Sequence, residues 1–282
     1  MRTKLSTEQK RFLDENGYLI LENVLSENQL NEIRGRIDEI FREEGVRAGD
    51  VRTPIRRIRL QNNRTIINRI KLFIDDQIAF KVVKWFVKYL RKKFPAFFYY
   101  ITIAPEFYAI PKRNFRGELK LMFVNAAQQG EEKVGRLCNL INKGKEFDVF
   151  ITHKKVISAV EYLVGRDFKL SSLNYRAPEK DCWTQPMHQD WLWPVSKDSC
   201  FASNTLWLLD DMTLDNGPTR VVPGTHRKEK RISTELKNSQ DAHPDEIYLT
   251  AKAGSVIIIN AHVWHGGTSN NSGLKRALIQ SY

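Results

Sequence analysis

Apolar residues recur at helical spacing near the start of the chain and at strand spacing towards its end, which predicts helices first and strands last. Ser6 with Gln9 and Ser26 with Gln29 are spaced as capping boxes, and Gly17 and Gly45 stand where helix C-caps belong. Two helices follow. In the second, Leu30, Ile33, Ile37 and Ile40 share one face while Glu27, Glu32, Arg36 and Glu43 take the others, so it should lie against a core. Residues 18–21 between them read as extended. Val156, Val160 and Leu163 mark one more helix ending at Gly165. Strand-like runs then dominate at 168–176, 204–210, 220–222, 246–251, 255–260 and 276–282, separated by turn residues such as Asn216-Gly217, Pro223-Gly224 and Gly254. Many short strands with glycine and proline punctuation argue for a sandwich or jelly roll.

Length changes this picture little: 282 residues suffice for one large domain, or one domain carrying an insertion. Cys138, Cys182 and Cys200 have no metal-type spacing and cannot all pair within the chain, so a reducing compartment, by default the cytoplasm, is expected. The start meets charge within a few residues instead of an apolar signal core, and no long apolar run appears, so secretion and membrane spanning are disfavoured.

Charge changes the picture more, because it is local. Between Arg52 and Lys93 thirteen basic residues stand against only Asp75 and Asp76, which accounts for nearly all of the net +12. Aromatics from Phe73, Phe80, Trp85 and Phe86 to Tyr99 and Tyr100 are interleaved with and follow this stretch. A packed helix with a solvated basic face explains it most simply. Two functional readings stand beside that: a peripheral contact with anionic lipid, or a docking surface for an acidic, phosphate-bearing or carrier-bound substrate. Nothing beyond charge supports nucleic acid, and none is expected. Oligomeric state is not legible.

Candidate chemistry sits in the strand-rich part. Gln185-Pro186-Met187-His188-Gln189-Asp190 places a histidine and a carboxylate two residues apart, and in an extended segment such residues share a face. Downstream, Val263-Trp264-His265-Gly266-Gly267 supplies another imidazole, followed eleven residues later by Arg276. Two imidazoles and one carboxylate suit a mononuclear non-haem iron(II) that keeps coordination positions open. An arginine nearby can grip the far carboxylate of a dicarboxylic oxo-acid with two charge-assisted bonds. Taken singly each residue is ordinary: His188 could be a loop histidine beside Asp190, and His265 a half-buried histidine at a strand end. His262 is a rival third ligand. Two His and a carboxylate also bind zinc in hydrolases, but Arg276 has no role there.

These segments resemble the phytanoyl-CoA dioxygenase-like family of iron(II)/2-oxoglutarate oxygenases. The signs are Gln185-x-x-His188-x-Asp190, the stretch from Asp215-Asn216-Gly217-Pro218-Thr219-Arg220 through Val221-Val222-Pro223-Gly224-Thr225-His226, and Trp264-His265-Gly266-Gly267-Thr268-x-Asn270 leading to Arg276. The opening, Leu5-Ser6-x-Glu8-Gln9 with Glu15-Asn16-Gly17-Tyr18-Leu19-Ile20, is similar too. The resemblance is good over residues 1–45 and 165–282 and poor between them.

That resemblance implies a mainly β fold with a helical N-terminal part: a double-stranded β-helix, jelly-roll and cupin-like, flanked by helices, with the metal between the sheets near one open end. One oxygenase domain would span 1–282, with N-terminal helices and strand in 1–50, a basic, mostly helical insert or lid in 51–150, and the jelly-roll core in 151–282. It implies His188, Asp190 and His265 as iron ligands and Arg276 as partner of the 2-oxoglutarate C5 carboxylate. Gln185, Trp207 and Thr219 fall around the cosubstrate, although each has a plain alternative: packing at a strand start, core, and turn. The implied cofactors are Fe(II), 2-oxoglutarate and O2, with ascorbate as an optional stimulant. The implied activity is oxidation of a small molecule, lipid-like or anionic substrates included. Related halogenases carry a small residue at the carboxylate position, so Asp190 favours hydroxylation, or desaturation, epoxidation or ring closure. The competing reading is a catalytically silent jelly roll that works through its basic segment.

Overall fold

The structure, a computed structural model, describes residues 4–44, 57–58, 108–113, 119–124, 133–182, 184–191, 198–230, 232–236 and 238–282. Two compact units emerge: Met1–Asp50 with Glu131–Tyr282, and Val51–Gly130. Most of the basic segment and its aromatics lie outside the described residues. In the second unit the described residues are three strands, β2 (Arg57–Ile58), β3 (Tyr108–Arg113) and β4 (Leu119–Val124), paired antiparallel in the order β2-β4-β3.

The first unit begins with helix α1 (Thr7–Asn16), strand β1 (Tyr18–Leu21) and helix α2 (Glu27–Glu44). Both capping boxes form. Gln9 N–H donates to Ser6 Oγ at 3.1 Å while Ser6 N–H donates to Gln9 Oε1 at 3.0 Å, and Ser26 and Gln29 repeat the exchange. Gly17 ends α1 in the left-handed region at φ 78°, and a Cβ there would stand 2.1 Å from Val263 and 2.5 Å from His226, so only glycine fits this corner. After β5 (Val134–Leu137) come a short helix α3 (Val149–Thr152) and α4 (Lys154–Val164), the latter capped at Gly165. The remaining strands are β6 (Leu173–Pro178), β7 (Ser203–Leu208), β8 (Thr219–Val222), β9 (Ile247–Leu249), β10 (Val256–Asn260), β11 (Trp264–Gly267) and β12 (Leu278–Ser281). Among the described residues no helix is long and apolar enough to cross a membrane.

Six strands pair antiparallel in the order β1-β10-β7-β12-β6-β5, and three more in the order β11-β8-β9. The larger sheet is buried on both faces, which its period-2 side chains record. Val256 and Ile258 of β10, Trp207 of β7 and Ile279 of β12 join Leu30, Ile33, Ile37 and Ile40 of α2 in one core. Ile257, Ile259, Leu206, Leu208 and Leu278 point the other way and meet Val221 and Leu249 of the smaller sheet. Each fully buried aliphatic side chain contributes about 1.5–3 kcal/mol, so the four from α2 fix that helix on the sheet far more firmly than its caps do. Two facing antiparallel sheets with helices packed on the outside of one make the double-stranded β-helix, and the site lies in the layer between the sheets.

Candidate metal centre

His188 and His265 meet as an isolated antiparallel bridge. His188 N–H donates to His265 O and His265 N–H to His188 O, both at 2.8 Å. Directly opposed residues on paired backbones present side chains to the same face, so the two rings stand 4.4 Å apart. Asp190, two residues beyond His188, turns to that face as well. Its Oδ1 lies 3.6 Å from His188 Nε2 and its Oδ2 3.6 Å from His265 Nε2. Ligands at right angles on one ion with bonds of about 2.1 Å lie roughly 3 Å apart, so a small contraction brings this set onto a metal.

Tautomers are settled by the backbone. His188 Nδ1 lies 2.9 Å from Pro186 O, and His265 Nδ1 lies 2.9 Å from Val263 O. A carbonyl only accepts, so each Nδ1 carries the proton and each Nε2 keeps its lone pair for a metal. Burial, and then His265, push the His188 imidazole down to about 4, which keeps it a neutral donor at neutral pH. Among the described residues this is the single group of three or more metal-type side chains whose ligand atoms converge, all within 4.8 Å.

A pocket of about 430 Å³, part of it open to solvent, runs from His188 and His265 to Arg276. Gln185 and Thr219 line it as well. Gln185 spends its carbonyl on Gly267 N–H at 3.1 Å, while its backbone is held by Gly267 O and Arg220. Arg276 is buried, and its Nε has no hydrogen-bond partner. Burial, and then Arg176, push its guanidinium down to about 9, as expected of a cation lacking an anion beside it. An orphaned, buried guanidinium in a pocket that starts at two imidazoles fits a carboxylate-bearing metal chelator.

Trp207 is not at the pocket. Its side chain is fully buried in the helix-side core against Phe150, and its indole N–H donates to Thr205 Oγ1 at 2.9 Å. Strand alternation puts Leu206, one residue earlier, on the pocket face instead. The rival ligand His262 lies outside the triad, edge-on to the stacked rings of Trp191 and Phe201. Five further pocket residues are not singled out by the sequence: Arg176, Asn204, Leu206, Leu278 and Gln280. A signal existed for three of them. Arg176, Asn204 and Gln280 are polar at the positions of β6, β7 and β12 whose alternate neighbours are core, and an inward polar residue in a buried strand marks a cavity. His226, by contrast, is structural: its Nε2 lies 3.1 Å from Asp14 O, tying the Pro223-Gly224-Thr225-His226 corner to α1.

The sequence model of the family described as phytanoyl-CoA dioxygenase (PhyH) matches residues 13–277. A Caenorhabditis elegans protein described as a probable phytanoyl-CoA dioxygenase is 23% identical over 99% of this chain and 75% of its own length. An uncharacterized Mycobacterium tuberculosis protein is 29% identical over 54% of this chain and 56% of its own. Among solved structures, HygX from Streptomyces hygroscopicus with nickel and 2-oxoglutarate bound is similar at TM-score 0.60 and 10% identity, covering 99% of this chain and 86% of that one. The non-heme alpha-ketoglutarate-dependent carbocyclase SnoK from nogalamycin biosynthesis is similar at TM-score 0.56 and 17% identity, covering 98% and 83%. At these identities the structural likeness speaks for the fold.

Proposed function

Because this chain belongs to the phytanoyl-CoA dioxygenase family and is a 2-oxoglutarate-dependent non-haem iron dioxygenase, we propose that His188, Asp190 and His265 hold its iron and that Arg276 holds the cosubstrate. The observation that carries this reading is one pocket with two Nε2 lone pairs and a carboxylate at one end and an orphaned guanidinium at the other. When bound, iron(II) with 2-oxoglutarate and dioxygen supplies oxidation of an unactivated C–H bond, coupled to release of succinate and carbon dioxide.

The protein's own part is binding and orientation. The His188–His265 bridge fixes both imidazoles before any metal arrives, so little is lost in ordering them. Arg276 donates to the C5 carboxylate. Arg176, pushed down to about 10 by burial and close enough to feel Asp190, lies nearer the metal and steadies negative charge there. Thr219 and the free amide nitrogen of Gln185 add polar contacts along the cosubstrate. Asp190 fills the carboxylate position, so hydroxylation of a small molecule is the favoured outcome, with desaturation, epoxidation or ring closure open to the same site.

The test is iron-dependent conversion of 2-oxoglutarate to succinate, followed by NMR in the presence of candidate small molecules. Succinate that requires iron(II) and is lost in His188→Ala supports the reading. Iron-loaded protein that forms none under any of these conditions, uncoupled turnover included, contradicts it.

A further inference from the structure

Asn204 is the pocket residue whose hydrogen bonding is half used. It lies on β7 opposite Ile259, on the pocket face of the sheet, and is 1% exposed. Its Nδ2 donates to Asp190 Oδ2 at 3.1 Å, while its own Oδ1 is buried and has no partner. The amide cannot be turned round, because a carboxylate offers no proton and Oδ1 would then face Oδ2. A buried acceptor left without a donor costs about 1–3 kcal/mol, so such a group is expected to have a use.

We infer that Asn204 is a positioning residue that decides how Asp190 meets the metal. Its donor end engages Oδ2, so Oδ1 is the oxygen left for the ion. Swinging the carboxylate to offer both oxygens would bend or break that bond. Asn204 is the amide that holds this carboxylate; the imidazole Nε2 atoms near it carry no protons if both Nδ1 atoms donate to the backbone. The amide would therefore hold Asp190 to one oxygen on the ion.

This inference rests on the metal assignment above. The experiment uses Mn(II) as the probe with the full chain, reading free Mn(II) by electron paramagnetic resonance and bound, exchanging water by proton relaxation. Asn204→Leu keeps the volume and removes the hydrogen bond to Asp190. The expected result is a Mn(II) affinity lower by on the order of 10- to 100-fold. With it, relaxation enhancement per bound ion should fall by the equivalent of about one water, as Asp190 closes onto the metal with both oxygens. A merely structural role would shift the thermal midpoint without changing the water count. Should Asn204→Leu not fold, Asn204→Ser carries the same prediction, because its short hydroxyl falls short of Oδ2. Unchanged affinity and water count in a folded variant overturn the role of Asn204 alone. A wild-type protein that binds no Mn(II) overturns the metal assignment itself.

Discussion

At the metal end of the pocket three side chains converge because backbone pairing puts them there: a two-residue bridge aligns His188 with His265, and one extended step brings in Asp190. At the other end Arg276 leads into β12, and Arg176, on β6 opposite Leu278, stands between the two ends, close enough to feel both Arg276 and Asp190. The first end presents imidazole lone pairs, kept on Nε2 by backbone carbonyls that hold each Nδ1 proton, and a carboxylate. The second presents desolvated positive charge. A pocket polarised in this way suits a ligand that chelates with one end and is anionic at the other, and its two ends should fail separately when altered.

The largest effect is expected at the metal end. His265→Ala should lower iron affinity by more than about 100-fold and abolish iron-dependent 2-oxoglutarate turnover, measured by metal competition and succinate formation. Arg276→Gln should leave iron binding alone unchanged while weakening 2-oxoglutarate by roughly 30- to 5000-fold, from the cost of about 2–5 kcal/mol for truncating one side of a buried charge pair. Arg276→Lys should recover only part of this, because an ammonium cannot make the paired bonds of a guanidinium. Loss of iron binding in either arginine variant would break the claim that the ends are separate.

A middle-sized effect should come from the backbone that joins the two. A Cβ on Gly266 would lie 3.0 Å from Gln185 O and 3.1 Å from Pro186 O, both main-chain atoms that cannot step aside easily. Gly266→Ala should therefore push β11 from the His188 segment, destabilise the protein by about 1–3 kcal/mol in denaturant melts, and weaken iron more than 2-oxoglutarate.

The smallest effect is in pH. Burial pushes His262 down to about 4. Below about pH 6.5 the unfolded chain takes up a proton that the folded chain refuses until about pH 4, so this residue removes stability as the pH falls through that window. His262→Asn should flatten the slope of metal-free stability between these values, read from thermal melts, with no change in 2-oxoglutarate affinity. An unaltered slope would show that His262 takes up its proton without cost.

The same contrast explains what could be read from the sequence. Helix starts at Ser6 and Ser26 depend on contacts three residues apart, so the capping pattern announces them. His188 and Asp190 share a face by local geometry. Strand β11 was not foreseen as such: Trp264-His265-Gly266-Gly267 has weak strand preference and becomes extended only by pairing with β8. Strand β5 escaped for a similar reason, as its partner β6 lies far along the chain. The resemblance leaves Trp207 either at the cosubstrate or in the core; the pairing of β7 with β10 and β12 puts it in the core and turns Leu206 to the pocket, and register is a tertiary property. Arg176 was not foreseen because its proximity to Arg276 exists only through the pairing of β6 with β12.

The most direct test of the polarised pocket is anaerobic titration of the metal-free protein with iron(II) and then 2-oxoglutarate, watching for the weak visible charge-transfer absorption of the chelate. The expected outcome is a band in the wild type, no band in His188→Ala, and a band in Arg276→Gln that reaches full intensity only at far higher 2-oxoglutarate. Absence of the band in iron-loaded wild type, or equal titrations for wild type and Arg276→Gln, would contradict the assignment of metal to one end and carboxylate to the other.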